Sequence, residues 1–365
     1  MPNGARGGVL NGSPVATGAE QIFGDLRAVA ARVRADLEAE IAESSLELPA
    51  DVAPAAEISR FARDERARVL EAGASGLEKL AAHREDEIGE DESFGVEAIV
   101  LLQGRPAILV QRQDFAPQRD EWAVLDGQRT AIRESLSRVG RVEVTGHPSL
   151  DWIGTAFLVG PHAVMTNRHV AAEFSRFEAD RDRWTFEFGM SARVDPAEEL
   201  PVDGAPVAAT SSTPYEITEI IGIHPDVDMA LLRIEASASD GLPTPLAVAA
   251  DAPASVPGRP VYVVGYPAWD GRRNEPESMR RIFMDVYNVK RLQPGAATEF
   301  TPGSLVMKHD CSTLGGNSGS PVLDLTDHRV LGLHFGGRYR SGNLAVPLWE
   351  LVDDPLLARA EVNWV

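Results

Sequence analysis

A single cysteine, Cys311, excludes any intramolecular disulfide. Disulfides persist in oxidising compartments, so their absence fits a reducing one, and the chain is expected to be cytoplasmic. No apolar run of signal-peptide type opens the sequence, and no run is long enough to cross a bilayer. Cations are scarce: 35 Lys and Arg against 55 Asp and Glu leave a formal net charge of -20. A general grip on nucleic acid or anionic lipid needs basic patches, so neither partner is expected. The glycine fingerprints of phosphate or dinucleotide binding are missing. His224, His309 and His328 lie apart, without metal-ligand spacing. No metal and no cofactor are expected. Cys311 itself reads as a small buried apolar residue.

What remains is an ordinary globular composition, 44% hydrophobic and 25% charged, long enough for two or three domains. Residues 1–18 are rich in Gly, Ala, Ser and Pro and are expected to be disordered. Residues 19–90 read as a helical hairpin. IFGDLRAVAARVRADLEAEIAESS and AAEISRFARDERARVLEAGASGLEKLAAHREDE carry apolar residues at helical spacing, with Pro49 and Pro54 between them. Such a pair is either a packing module or an adaptor for a regulatory partner. The acidic run EDEIGEDES reads as a solvated linker. Residues 91–140 form a bridging region, with two strands around a turn at Gln103–Pro106 and then the helix TAIRESLSRVG. It either packs on a neighbour or lies across an active site and restrains it.

From residue 141 to 365 the texture is β. Short apolar runs such as GTAFLVGP, YEITEIIGI, RPVYVVGYP and RVLGLHFGG are separated by Gly, Pro, Asp and Asn. Many short strands with turn signals imply a sandwich or barrels. The tail PLWELVDDPLLARAEV is expected to include a closing helix.

Three places in this half can carry chemistry. TNRHVA places His169 after an apolar strand, HPDVDMALLRIE places Asp226 and Asp228 before one, and GGNSGSPV surrounds Ser318 with small residues. A serine hydroxyl is a poor nucleophile without a base. Histidine is the usual base near neutral pH, and it needs an acceptor on its other nitrogen.

TNRHVA, DMALL and GGNSGSPV together resemble the signature segments of chymotrypsin-like serine endopeptidases. The resemblance spans about residues 141–350, and it is nearest to the disulfide-poor bacterial branch that includes the glutamyl endopeptidases. It implies two six-stranded Greek-key barrels, about 141–240 and 245–350, with the active site between them. It assigns His169 as general base, Asp228 as its partner and Ser318 as nucleophile. Asp228 is preferred over Asp226 because the family's aspartate directly precedes the short apolar strand. The oxyanion donors would be the amides of Gly316 and Ser318, with the glycine leaving room for substrate. Two positions depart from the commoner pattern. Asn317 replaces an aspartate that pairs with a newly cut N-terminus, so that mode of activation is not expected. Ser320 replaces a glycine, as in the glutamyl branch.

By the same resemblance, LGLHFGG lines the specificity pocket. His334, Phe335 and Gly336 on that strand, and Thr313 before the nucleophile, would contact substrate. Cleavage after Glu or Asp is the implied preference. The partner is then a protein or peptide. A protease fold retired to binding or scaffold duty is the alternative.

Overall fold

The computed structural model describes residues 25–44, 53–82, 84, 87–89, 91–92, 96, 104–200, 214–236, 241–268, 286–338 and 342–365. The expected disorder of residues 1–18 falls outside them. The chain forms two compact units, Met1–Gly104 and Arg105–Val365, which divide the expected bridging region between them.

In the first unit, α1 (Leu26–Ser44) and α2 (Ala53–Ala81) are the expected helical pair. Leu26, Val29, Ala30, Val33 and Leu37 make one stripe, which packs on Leu70, Ala74, Leu77 and Leu80. Arg34 bridges them by binding Glu71 at 2.9 Å and also Glu78. The acidic run is less solvated than its charge suggests, since Glu92 accepts from Lys79 at 2.6 Å and from Ser75 at 2.7 Å. No helix among the described residues is long and apolar enough to cross a membrane.

The second unit opens with a hairpin of β1 (Ile108–Gln111) and β2 (Asp114–Phe115), followed by α3 (Arg129–Leu136). The hairpin turns at Arg112 and Gln113, both at positive φ, rather than at Gln103–Pro106. Most of the first expected strand lies outside the described residues, and Val96 within it is helical.

Two closed six-stranded antiparallel barrels follow. The first uses β3 (Val139–Thr145), β4 (Trp152–Gly160) and β5 (Ala163–Thr166). The one-turn helix α4 (Arg168–Ala171) and a separate ribbon, β6 (Ser175–Glu178) with β7 (Arg183–Phe186), come next. Strands β8 (Ser191–Asp195), β9 (Tyr215–Ile223) and β10 (Ala230–Ala236) close the ring in the order β10-β5-β4-β3-β8-β9. The second barrel comprises β11 (Pro260–Gly265), β12 (Arg291–Phe300), β13 (Met307–His309), β14 (Pro321–Asp324), β15 (Val330–Arg338) and β16 (Gly342–Pro347). Its ring β11-β14-β15-β16-β13-β12 closes where β12 returns to β11, and β1 extends it along β12. The expected C-terminal helix is α5 (Pro355–Arg359), capped by Asp354.

Strand alternation sorts the apolar residues into three clusters. Ala156 and Leu158 fill the first barrel with Val142, Val164 and Leu232. Val261 and Val263 fill the second with Met307, Val322 and Leu331. The alternate residues Phe157, Val159, Tyr262 and Val264 point outward and meet in a shared seam. Each such fully buried side chain contributes roughly 1.5–3 kcal/mol.

The bridging segment completes that seam with Phe115, Leu125, Ile132 and Leu136. A buried lysine fastens it. Lys290 Nζ donates to Gln113 Oε1 at 2.9 Å, the Leu136 carbonyl at 2.8 Å and the Pro196 carbonyl at 2.5 Å. Burial pushes this ammonium down to about 7. Residues 105–138 thus pack on their neighbours through these apolar side chains and the Lys290 bonds.

Candidate active site

The pairing of β10 with β5 sets Ala230 opposite Thr166, so the residues before β10 and after β5 share one end of the first barrel. Asn167 is extended and fully buried, and its Nδ2 donates to the Asp228 carbonyl at 2.8 Å. Arg168 Nη2 donates to the Val227 carbonyl at 2.5 Å. With the two backbones tied, His169 engages Asp228 twice. Its amide donates to Oδ1 at 3.0 Å, and its Nδ1 lies 2.6 Å from Oδ2. The acceptor fixes the proton on Nδ1 and leaves Nε2 with a lone pair. The imidazole is half exposed, at 50%, so that nitrogen is open to a reacting group. Burial alone would raise the Asp228 carboxyl, but the His169 ring and amide outweigh it and hold it below the usual range. Asp226 is exposed, and among the described residues only its amide is engaged.

Ser318 sits in the loop before β14, in the second barrel. Gly316 and Gly319 have φ of 82° and 90°, where a side chain is strained. A Cβ on Gly316 would strike the Tyr266 carbonyl and come within 2.6 Å of the Trp152 ring; one on Gly319 would strike the Thr155 carbonyl. From Gly316 to Gly319 the loop's amides alternate. Asn317, Gly319 and Ser320 donate to Leu314, His334 and Asn317 carbonyls at 3.2, 3.0 and 2.9 Å. The amides of Gly316 and Ser318 find no acceptor among the described residues. Peptide geometry explains their direction. The Gly315 carbonyl accepts from Ala268 at 2.6 Å and the Asn317 carbonyl from Ser320 at 2.9 Å. In a trans peptide the N–H points opposite to its C=O, so both free amides face away from those internal bonds.

Thr155, quoted in the strand GTAFLVGP but not singled out by its sequence, joins the two halves. It is fully buried. Its amide donates to the Ser318 carbonyl at 2.8 Å and its Oγ1 to the Gly316 carbonyl at 2.8 Å. Its own carbonyl accepts from Thr166 Oγ1 at 2.8 Å, three residues before His169. The histidine and serine segments are thus adjacent through one residue. No hydrogen bond joins His169 to Ser318 themselves.

Asn317 is buried, donating to Leu314 and accepting from Gln293 Nε2 at 3.1 Å. His334, on β15, donates its amide to the Ser320 carbonyl at 2.9 Å, which sets it beside the Ser318 loop. Its Nδ1 lies 3.1 Å from Nε2 of His309, a fully buried residue of β13. Burial pushes His309 down to about 3. Burial, then the nearness of His309 and His169, pushes His334 well below its ordinary value. Burial thus disfavours a proton on either ring. Phe335 occupies the bulge between His334 and Gly336, Thr313 is half-buried, and a Cβ on Gly336 would meet open space. Cys311 is buried, as expected, and burial raises its thiol far above the usual range.

Residues 154–333 match the family model of the trypsin-like peptidase domain. A probable serine protease of Lysobacter enzymogenes is 26% identical over 322 residues, covering 78% of this chain and 80% of that protein. Among solved structures, the active form of a protease from M. tuberculosis aligns with a TM-score of 0.43 at 20% identity, over 70% of this chain and 91% of that one. A Glu endopeptidase in complex with MPD gives a TM-score of 0.39 at 15% identity, over 58% and 85%.

Proposed function

Because this chain is a trypsin-like serine protease, we propose that His169, Asp228 and Ser318 hydrolyse the peptide bond and that the amides of Gly316 and Ser318 hold the oxyanion. The Ser318 hydroxyl attacks the substrate carbonyl while His169 Nε2 takes its proton. Asp228 keeps the Nδ1 proton in place and stabilises the imidazolium. The negative charge on the carbonyl oxygen meets the two amides, and the leaving amine receives the proton from His169. Water then attacks the acyl-enzyme by the reverse proton path. For the first step the hydroxyl must come within reach of Nε2 once substrate is bound, as such bonds often tighten only then. The observation that carries the reading is that Asn317, Gly319 and Ser320 spend their amides on the loop's own carbonyls and on His334, while the amides of Gly316 and Ser318 have no acceptor among the described residues. A retired binding fold would show a missing base, nucleophile or oxyanion glycine, and all are present. Turnover of a peptide substrate should vanish in Ser318→Ala.

The pocket reading is cleavage after Glu or Asp, with Thr313, His334, Phe335 and Gly336 around the acidic side chain. The support comes from the paired histidines. Among the described residues, His309 Nδ1 is buried without a hydrogen-bond partner. A bare acceptor there costs less than a stranded N–H, so the His309 proton sits on Nε2 and is donated to His334. That leaves His334 with its proton on Nε2, ready to donate to a carboxylate. Profiling on a peptide library should enrich Glu before the cut; strong preference for Arg or Leu would contradict this.

The helical unit is assigned to a regulatory partner, and the chain to the cytoplasm. Comparing the full chain with one starting at Arg105 tests the first point, since equal rates argue against restraint.

A further inference from the structure

We propose that His224 and Asp354 form a positioning pair that ties the turn carrying Asp228 to the C-terminal helix α5. This rests on the reading of Asp228 as the partner of the catalytic histidine. His224 follows β9 and is 5% exposed. Its Nδ1 accepts from the amides of Asp226 and Val227, each at 3.1 Å. Residue 225 is proline and has no amide to give, so these are the first two donors in the turn. A ring nitrogen that accepts carries no proton, which places the proton on Nε2. There it faces Asp354 Oδ2 at 3.2 Å. The other oxygen of Asp354 caps α5 by accepting from Leu356 at 2.8 Å. The His224 amide closes the turn by donating to Met229 at 2.9 Å.

The imidazole is therefore an internal brace with both nitrogens committed. An apolar side chain would fill the space as well, but it could not satisfy the two turn amides. Asp354 secures the tautomer that His224 needs in order to accept them. Asn167 and Arg168 grip the carbonyls of Asp228 and Val227. Asp228 is thus held between two elements, and its two-point grip on His169 depends on where that backbone stands. Displacement of a reacting group by about 1 Å can cost roughly 10²-fold in rate.

The test is steady-state kinetics on the full chain. Asp354→Asn keeps an oxygen for the helix cap but offers Nε2 an N–H. That drives the ring proton to Nδ1 and against the two amides. The expected result is a fall in kcat of about tenfold or more, with KM changed by less than about twofold. Adding His224→Asn supplies a side-chain oxygen to the same amides without help from residue 354, and should recover most of the lost kcat. An undiminished kcat in Asp354→Asn, or no recovery in the double variant, overturns the pair. If Asp354→Asn does not fold, His224→Ala replaces it: reduced kcat at unchanged KM supports the pair and wild-type kcat overturns it. Asp228→Asn is the control. Wild-type turnover there removes the reading beneath the pair, whereas loss there beside wild-type kcat in Asp354→Asn removes the pair alone.

Discussion

Thr155 donates its amide to the Ser318 carbonyl at 2.8 Å, so a strand of the first barrel holds the Ser318 loop of the second. The Thr155 hydroxyl adds a bond to the Gly316 carbonyl and accepts from the Tyr266 amide at 3.3 Å. Thr155→Val keeps volume and the backbone bond but removes both hydroxyl contacts. A buried hydrogen bond of this kind is worth roughly 0.5–1.5 kcal/mol, so kcat should fall about two- to twelvefold. Initial-rate kinetics would show this with KM nearly constant. An unchanged kcat would mean that the loop holds its shape without the hydroxyl.

Gly316→Ala should be far more damaging to turnover. The position has φ 82°, and its Cβ would meet the Tyr266 carbonyl and the Trp152 ring. Movement of the loop to relieve that contact should turn one of the proposed oxyanion donors away, at a cost of roughly 10²–10³-fold in kcat. Active-site titration would check that the protein still folds and acylates slowly.

The two aspartates of HPDVD should separate cleanly. Asp228→Asn loses the acceptor that fixes the His169 tautomer, and turnover should drop by roughly 10⁴-fold. Asp226→Asn alters an exposed side chain whose amide, not its carboxyl, is engaged, so turnover should stay near the wild-type level. Equal loss in both would contradict the assignment.

Acid should destabilise the second barrel through its paired histidines. His309 is held at about 3 against an ordinary 6.5, and His334 is also lowered. The unfolded chain binds protons that the folded chain refuses, so this stability is complete above 6.5 and is lost as pH falls toward about 3. Each refused proton removes about 1.4 kcal/mol per pH unit in that window. Urea midpoints at several pH values should fall on acidification, and His309→Gln should flatten the slope.

The candidate site was legible in the sequence because the proposed chemistry demands unusual residues: glycines where the chain turns against its neighbours, and a histidine, aspartate and serine at element ends. Runs such as YEITEIIGI matched β9 because apolar residues recur with the pleat. Strand β12 escaped notice because RLQPGAATEF carries Pro294 and Gly295 at its centre, which usually break a ladder. Gly295 is there because a Cβ would stand 2.7 Å from Asp310 Oδ1 and 2.8 Å from Cys311 Sγ. The ribbon β6–β7 hides in a charged stretch. Thr155 left one clue, a hydroxyl inside an apolar run, which needs a buried partner. His224 and His309 looked isolated because their partners, Asp354 and His334, lie far along the chain.

Labelling with a fluorophosphonate, followed by intact-mass and peptide analysis, addresses the nucleophile most directly. One adduct on Ser318 in the full chain, and none in Ser318→Ala, is the expected result. A wild-type protein that cleaves peptides yet takes no label, or a label that persists in Ser318→Ala, would contradict it.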